Sequence, residues 1–112
     1  MLTNRCVRFF SGILTKAELE GISSHLSSWT VNGHLSINNR FTFNDFKEAW
    51  EFMELVAKVA DQHDHHPEWT NVYNRIDVNL TTHDAGGITK KDLWLAKFMD
   101  KAELLVKHEH ED

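Results

Sequence analysis

Apolar residues recur at helical spacing in the first third of the chain. Thr15 and Glu18 have the form of a capping box, in which a hydroxyl at the N-cap and a carboxylate three residues later bond each other's backbone amides. Leu19, Ile22 and Leu26 follow every three or four positions. The pattern predicts a first helix from about Thr15 to Ser27.

Two further stretches show the same spacing. Asn44 is the expected N-cap of a long second helix, which should end near Gln62 or His63. Thr89 and Asp92 are the expected capping pair of a third helix, which should run to about Val106. The predicted apolar stripe of the second helix consists of Phe46, Trp50, Met53, Ala57 and Ala60, widened by Ala49, Phe52 and Val56. That of the third consists of Leu95, Phe98, Ala102 and Leu105.

Apolar and polar residues alternate between these helices. A short strand over 29–31 leads to Asn32-Gly33, a strong hairpin signal, and the return strand places Leu35, Ile37, Phe41 and Phe43 on one face. Asn39 falls on that apolar face, which predicts a bulge or an edge position there. Val72 to Thr82 alternates again, and continuing its parity puts His83 on the polar face beside Thr81.

The predicted order is helix, two strands, helix, one or two strands, helix. Strands with one apolar and one polar face are typical of an antiparallel sheet covered by helices on one side. We therefore expect an α+β fold whose other sheet face is solvent-exposed, faces a partner subunit or walls a ligand pocket.

Composition narrows the class of protein. A chain of 112 residues fits one domain, 1–112, since domains commonly run about 100–150 residues. The formal net charge of -5 argues against direct binding of nucleic acid, and no apolar run is long enough to span a bilayer. The single cysteine, Cys6, forms no intrachain disulfide, and no secretory signal is recognised. We expect a cytoplasmic location.

The candidate chemistry lies between residues 61 and 92. His65, His66 and the only proline, Pro67, follow the second helix, and His83 follows the second alternating stretch. Imidazoles give and take protons near neutrality, so the cluster predicts a proton-handling pocket. Asp61, one helical turn before His65, is expected to orient that ring, and Asp92 to orient His83 or simply to cap its own helix.

Other interpretations stay open for these residues. Tyr73 also fits a plain packing residue, Trp69 a packing residue or part of a pocket wall, and His63 a helix C-cap. Three histidines with an aspartate are also a zinc-type ligand set. Against a metal site, adjacent histidines point in different directions, and no pair has the spacing of a helical HExxH motif.

The spacing from Asp61 to Asp92 resembles the signature of the pterin-4a-carbinolamine dehydratase family. Further similarity lies around Arg40-Phe41, Thr82-His83 and Trp94-Leu95-Ala96. The spacing in this sequence is Asp61-x3-His65-His66-Pro67-x5-Tyr73-x9-His83-x8-Asp92. The resemblance implies a four-stranded antiparallel sheet with three helices packed on one face, dimers or tetramers, and no metal or organic cofactor.

The implied reaction is the dehydration of 4a-hydroxytetrahydrobiopterin to quinonoid dihydropterin, which recycles the cofactor of aromatic amino acid hydroxylation. By the resemblance, His65 and His83 are the acid/base pair and His66 binds and orients the pterin. Asp61, Pro67, Trp69 and Asp92 are implied to bind substrate or orient the imidazoles. Some relatives also act as dimerisation cofactors of a transcription factor, so a non-catalytic pterin-binding or dimerisation module is the alternative.

Overall fold

A computed structural model of the chain describes residues 12–110, with the side chain of Ser23 left out, and Cys6 lies outside that range. The helices are α1 (Lys16–His25), α2 (Phe46–Gln62) and α3 (Lys90–Glu109). The strands are β1 (Thr30–Asn32), β2 (Ser36–Thr42), β3 (Glu68–Val72) and β4 (Arg75–Leu80), and a 3₁₀ turn, His83–Ala85, follows β4.

The four strands form one antiparallel sheet in the order β1-β2-β4-β3. The three helices cover one face, so the predicted α+β fold and its chain order are confirmed. Phe41 and Ile76 are register partners on the covered face and are fully buried. Arg40 and Asp77 are partners on the open face, where an Arg40 nitrogen lies 2.6 Å from a carboxylate oxygen of Asp77.

Two of the predicted helix caps are confirmed and one is displaced. Thr15 with Glu18 and Thr89 with Asp92 each form both bonds of a capping box. The N-cap of α2 is Asp45, whose carboxylate accepts from the Glu48 amide, and not Asn44. Asn44 instead donates its own amides to the carboxylate of Glu48.

The predicted apolar stripe of α2 is confirmed at five of its eight positions and wrong at Phe46, Trp50 and Ala57. Phe46 and Trp50 are about half exposed, at 46% and 52%, and Ala57 is exposed. The buried stripe consists of Ala49, Phe52, Met53, Val56 and Ala60. Both sets repeat every three or four residues, so periodicity alone does not decide which of them meets the sheet. The same helix ends at Gln62, as predicted, with His63 at its C-cap.

The alternating stretch Val72 to Thr82, predicted to form one or two strands, contains the last residue of β3, a turn and β4. Tyr73 has a φ of 51° and forms, with Asn74, the tight turn between β3 and β4. The Asn74 side chain donates to the Phe43 carbonyl, which fixes this turn against the end of β2. His83 is therefore not a strand residue beside Thr81, because β4 ends at Leu80 and His83 begins the 3₁₀ turn.

The first hairpin also differs from its prediction in detail. Leu35 belongs to the turn after Gly33, whose φ is 59°, and is 58% exposed. Asn39 is neither bulged nor at an edge, since it pairs in register with Val78 in the middle of the sheet. Its side-chain amide donates to the Ser28 hydroxyl, which satisfies a polar group on the covered face.

Candidate active site

The paired histidines lie in a tight connection between α2 and β3. Asp64 has a φ of 51°, and the His65 amide donates back to the Ala60 carbonyl. Glu68, the first residue of β3, is in register with Asn79, near the end of β4. The antiparallel pairing therefore brings the His65–Pro67 connection and the His83 turn to the same end of the sheet.

His65 and Asp92 form a buried pair at this end. Nε2 of His65 lies 2.6 Å from Oδ1 of Asp92, and their side chains are 10% and 0% exposed. A carboxylate oxygen accepts, so the Nε2–H of His65 donates to it. This bond fixes the orientation of the ring and leaves Nδ1 as the nitrogen able to exchange a proton with a ligand.

Asp92 uses its second oxygen to join three segments of the chain. Oδ2 accepts from the Thr89 amide at 2.9 Å, as part of the α3 capping box, and from the Thr82 hydroxyl at 2.8 Å. The hydroxyls of Thr82 and Thr89 are themselves 2.7 Å apart. One buried carboxylate thus holds the start of α3, the segment after β4 and the connection that carries His65.

Neither aspartate contacts the histidine predicted for it, although the alternative expected of Asp92, a cap on its own helix, is confirmed. Asp61 does not orient His65, because its Oδ1 lies 3.2 Å from Nε2 of His66, on the exposed side of the last turn of α2. Asp92 does not orient His83 but His65, while also capping its own helix. The turn at Asp64 explains the exchange, since it directs His65 into the protein and leaves His66 outside, with 59% of its side chain exposed.

His83 has a carboxylate neighbour that the sequence reasoning missed. Nε2 of His83 lies 3.7 Å from Oε1 of Glu68, and the two side chains are 78% and 58% exposed. The contact between Glu68 and His83 could be predicted only from the register of β3 and β4, in which Glu68 pairs with Asn79. Thr82 was named in the sequence resemblance but given no role, although its hydroxyl donates to Asp92.

Pro67 and Trp69 line a concavity on the open face of the sheet, with a volume of about 1010 Å³. Trp69 is also half-buried against the core, which agrees with its expected packing role, and its part in a binding pocket stays a prediction. Tyr73 is 62% exposed in the β3–β4 turn, at the end of β3 away from Pro67 and Glu68. Other lining residues are Asn38, Arg40, Thr70, Asp77 and Asn79. The Arg40 guanidinium donates to Asp77 and lowers the pKa of that carboxyl.

The predicted histidines do not form the group of metal-ligating atoms found within residues 12–110. That group is Glu51 of α2 with Glu109 and His110 at the end of α3, whose ligand atoms lie within 4.8 Å of one another. None of the helices within residues 12–110 is long and apolar enough to cross a bilayer.

Comparison with known proteins places this geometry in a family. The profile of the Pterin 4 alpha carbinolamine dehydratase family matches residues 13–102, so the chain belongs to that family. It is 52% identical over 88 residues to a protein of Burkholderia cenocepacia that is provisionally named pterin-4-alpha-carbinolamine dehydratase, covering 78% of this chain and 82% of that protein. A Bradyrhizobium sp. protein of the same name is 55% identical over 76 residues, covering 67% and 77%.

A solved structure supports the same relationship. The transcriptional coactivator/pterin dehydratase from Brucella melitensis superposes with a TM-score of 0.77 at 40% identity. The match covers 81% of this chain and 98% of that one. Family membership therefore agrees with the resemblance in the sequence and with the fold.

Proposed function

We propose that the chain is a 4a-hydroxytetrahydropterin dehydratase that works at the sheet end where His65, His66 and His83 lie. Family membership supports the reaction, and the His65–Asp92 bond at 2.6 Å is the observation that carries the proposed chemistry. A buried carboxylate that holds one imidazole nitrogen is a recurring device for presenting the other nitrogen to a substrate.

The reaction needs two proton transfers. The hydroxyl on C4a leaves as water once it is protonated, and the adjacent ring nitrogen loses its proton as the C=N bond forms. A proton added at oxygen and one removed at nitrogen balance, so no cofactor is consumed. Two imidazoles serve both steps near neutral pH.

We assign these transfers to His65 and His83. His65 takes part through Nδ1, since Asp92 occupies its Nε2, and the carboxylate stabilises the imidazolium whenever the ring is charged. His83 is 78% exposed and is open to a ligand at the sheet end. His66, with its exposed partner Asp61, is assigned to holding the pterin, and Pro67 and Trp69 to the wall beside it.

The test is a stopped-flow measurement of 4a-carbinolamine decay with and without the protein. We expect wild type to exceed the spontaneous rate, and His83→Ala and His65→Ala to lose about 10²–10⁴-fold of the catalysed rate. His25→Ala, an exposed histidine of α1, is the matched control and should keep it. Circular dichroism checks that each variant is folded.

The rates of wild type and of the two histidine variants distinguish a catalytic site from a non-catalytic module. Wild-type rates in both site variants would remove the acid/base assignment. Pterin binding without any acceleration by wild type would favour the non-catalytic module, the alternative suggested by the coactivator name of the Brucella melitensis relative.

We also propose that the chain self-associates, as the sequence resemblance implied. Support comes from apolar side chains on the outer side of the helical layer, where Leu55, Leu104 and Leu105 are 40%, 68% and 55% exposed. Analytical ultracentrifugation over a range of concentrations tests this, and a monomer throughout would contradict it. The cytoplasmic location stays a prediction.

A further inference from the structure

Each histidine of the site has a carboxylate of its own. Asp92 contacts His65, Asp61 contacts His66, and Glu68 lies beside His83. The first two carboxylates are among the residues that carry the sequence resemblance described above, and Glu68 is not. The function of this third pair, Glu68 and His83, therefore needs an explanation.

The position of Glu68 is fixed by its strand neighbour. Glu68 begins β3 and faces Asn79 of β4, whose side-chain amide donates to Oε1 of Glu68 at 3.3 Å. That same oxygen is the one 3.7 Å from Nε2 of His83. The carboxylate thus bonds to the neighbouring strand and lies beside the turn that carries the imidazole, and both side chains are exposed.

We infer that Glu68 is a positioning residue for His83, an inference that rests on the dehydratase function proposed above. A carboxylate at Nε2 keeps the hydrogen on that nitrogen and leaves Nδ1 to accept the proton from the pterin ring nitrogen. It also balances the imidazolium that forms when the proton arrives. A separation of 3.7 Å exceeds a hydrogen bond, and such contacts often tighten when substrate binds.

The position of Glu68 also connects the histidines with the polar sheet face. Glu68 and Asn79 both line the concavity of about 1010 Å³, together with Pro67 from the histidine connection. A ligand that reaches from the histidines onto the sheet passes this carboxylate. Glu68 could then act by binding the substrate instead, and the experiment must separate the two roles.

The experiment compares Glu68→Ala, Glu68→Gln and Glu68→Asp with wild type in the dehydratase assay. For a positioning residue we expect kcat to fall by about 10–100-fold in Glu68→Ala, with KM changed less than about threefold. Glu68→Asp should recover part of kcat, because it keeps the charge, and Glu68→Gln less. Glu54→Gln removes one exposed carboxylate from α2 and is the matched control, expected to equal wild type.

A second readout follows the imidazole itself. Ring ¹⁵N shifts of His83, measured at a pH where the ring is neutral, should report the Nε2–H form in wild type and a mixture of both forms in Glu68→Ala. A rise in KM alone, or unchanged kcat with an unchanged ring spectrum, would overturn the positioning role. Wild type without turnover would instead refute the proposed function, and the ring spectrum would then decide the contact by itself.

Discussion

The buried His65–Asp92 pair and the exposed His66–Asp61 pair contain the same two chemical groups in different surroundings. Asp92 is fully buried and accepts three hydrogen bonds, whereas the Asp61 side chain is 84% exposed and 3.2 Å from its histidine. A buried charge that loses its partner is costly, and an exposed pair contributes little. The first pair is therefore part of the fold as well as of the site, and the second is available mainly for function.

Removal of the two carboxylates should give the largest contrast. Asp92→Ala leaves His65 Nε2, the Thr89 amide and the Thr82 hydroxyl without their acceptor, so we expect a loss of about 3–5 kcal/mol in the free energy of unfolding. Asp61→Ala should cost less than about 1 kcal/mol. Urea unfolding followed by circular dichroism measures both, and equal losses would contradict the distinction.

A substitution at Gly87, just after the 3₁₀ turn, should lower the free energy of unfolding nearly as much. A Cβ on Gly87 would lie 2.4 Å from the backbone carbonyl oxygen of His34, which already accepts from the Ile88 amide. Since backbone must move, we expect Gly87→Ala to cost about 2–3 kcal/mol. Gly21→Ala is the control, because a Cβ there meets nothing within 4 Å and a mid-helix alanine should stabilise by about 0.5–1 kcal/mol. Thermal unfolding of both variants checks the two opposite signs.

Thr82→Val tests the hydroxyl part of the buried network. Valine keeps the shape and removes the donor to Asp92 and the acceptor for Thr89, so we expect a loss of about 1–2 kcal/mol. Thr70→Val, on the exposed face of β3, should change stability by less than about 0.5 kcal/mol. A loss at Thr70 as large as at Thr82 in urea unfolding would argue against a special role for the network.

The smallest effect is expected where an exposed histidine joins two helices. His110 Nε2 lies 2.8 Å from a Glu51 oxygen, and the bond to Glu51 raises the pKa of His110. A raised pKa stabilises the fold below the unfolded value of about 6.5, and the gain is lost as pH rises through the folded pKa. His110→Ala should therefore lower the unfolding midpoint slightly at pH 5.5 and not at pH 9. A loss of equal size at both values would contradict the charge-based origin.

Much of the fold could be predicted from the sequence because local signals agree with it. The capping boxes at Thr15 and Thr89 and the alternation around Phe41 and Ile76 depend on neighbours a few residues apart. The buried face of α2, in contrast, could not be predicted fully from neighbouring residues along the chain. Phe46 and Trp50 are large and apolar, yet the smaller Ala49 and the ring of Phe52 contact the core.

The site was predictable as a set of residues but not as a set of contacts. His65, His66 and His83 lie at one end of the sheet, and both the proton-handling pocket and their catalytic roles stay predictions. The pairing of carboxylates with imidazoles depends on tertiary placement: Asp92 reaches His65 only because α3 begins beside Thr82. Glu68 reaches His83 only through the β3–β4 register.

The double role of Asp92 has a consequence for dynamics. The Thr89 amide donates to Asp92 at the start of α3, so fraying that displaces Asp92 would break this bond together with the bond to His65. Deuterium exchange at the Thr89 amide would therefore report how often the bond between His65 and Asp92 opens. A ligand seated against His65 should slow this exchange even though it touches no part of the helix.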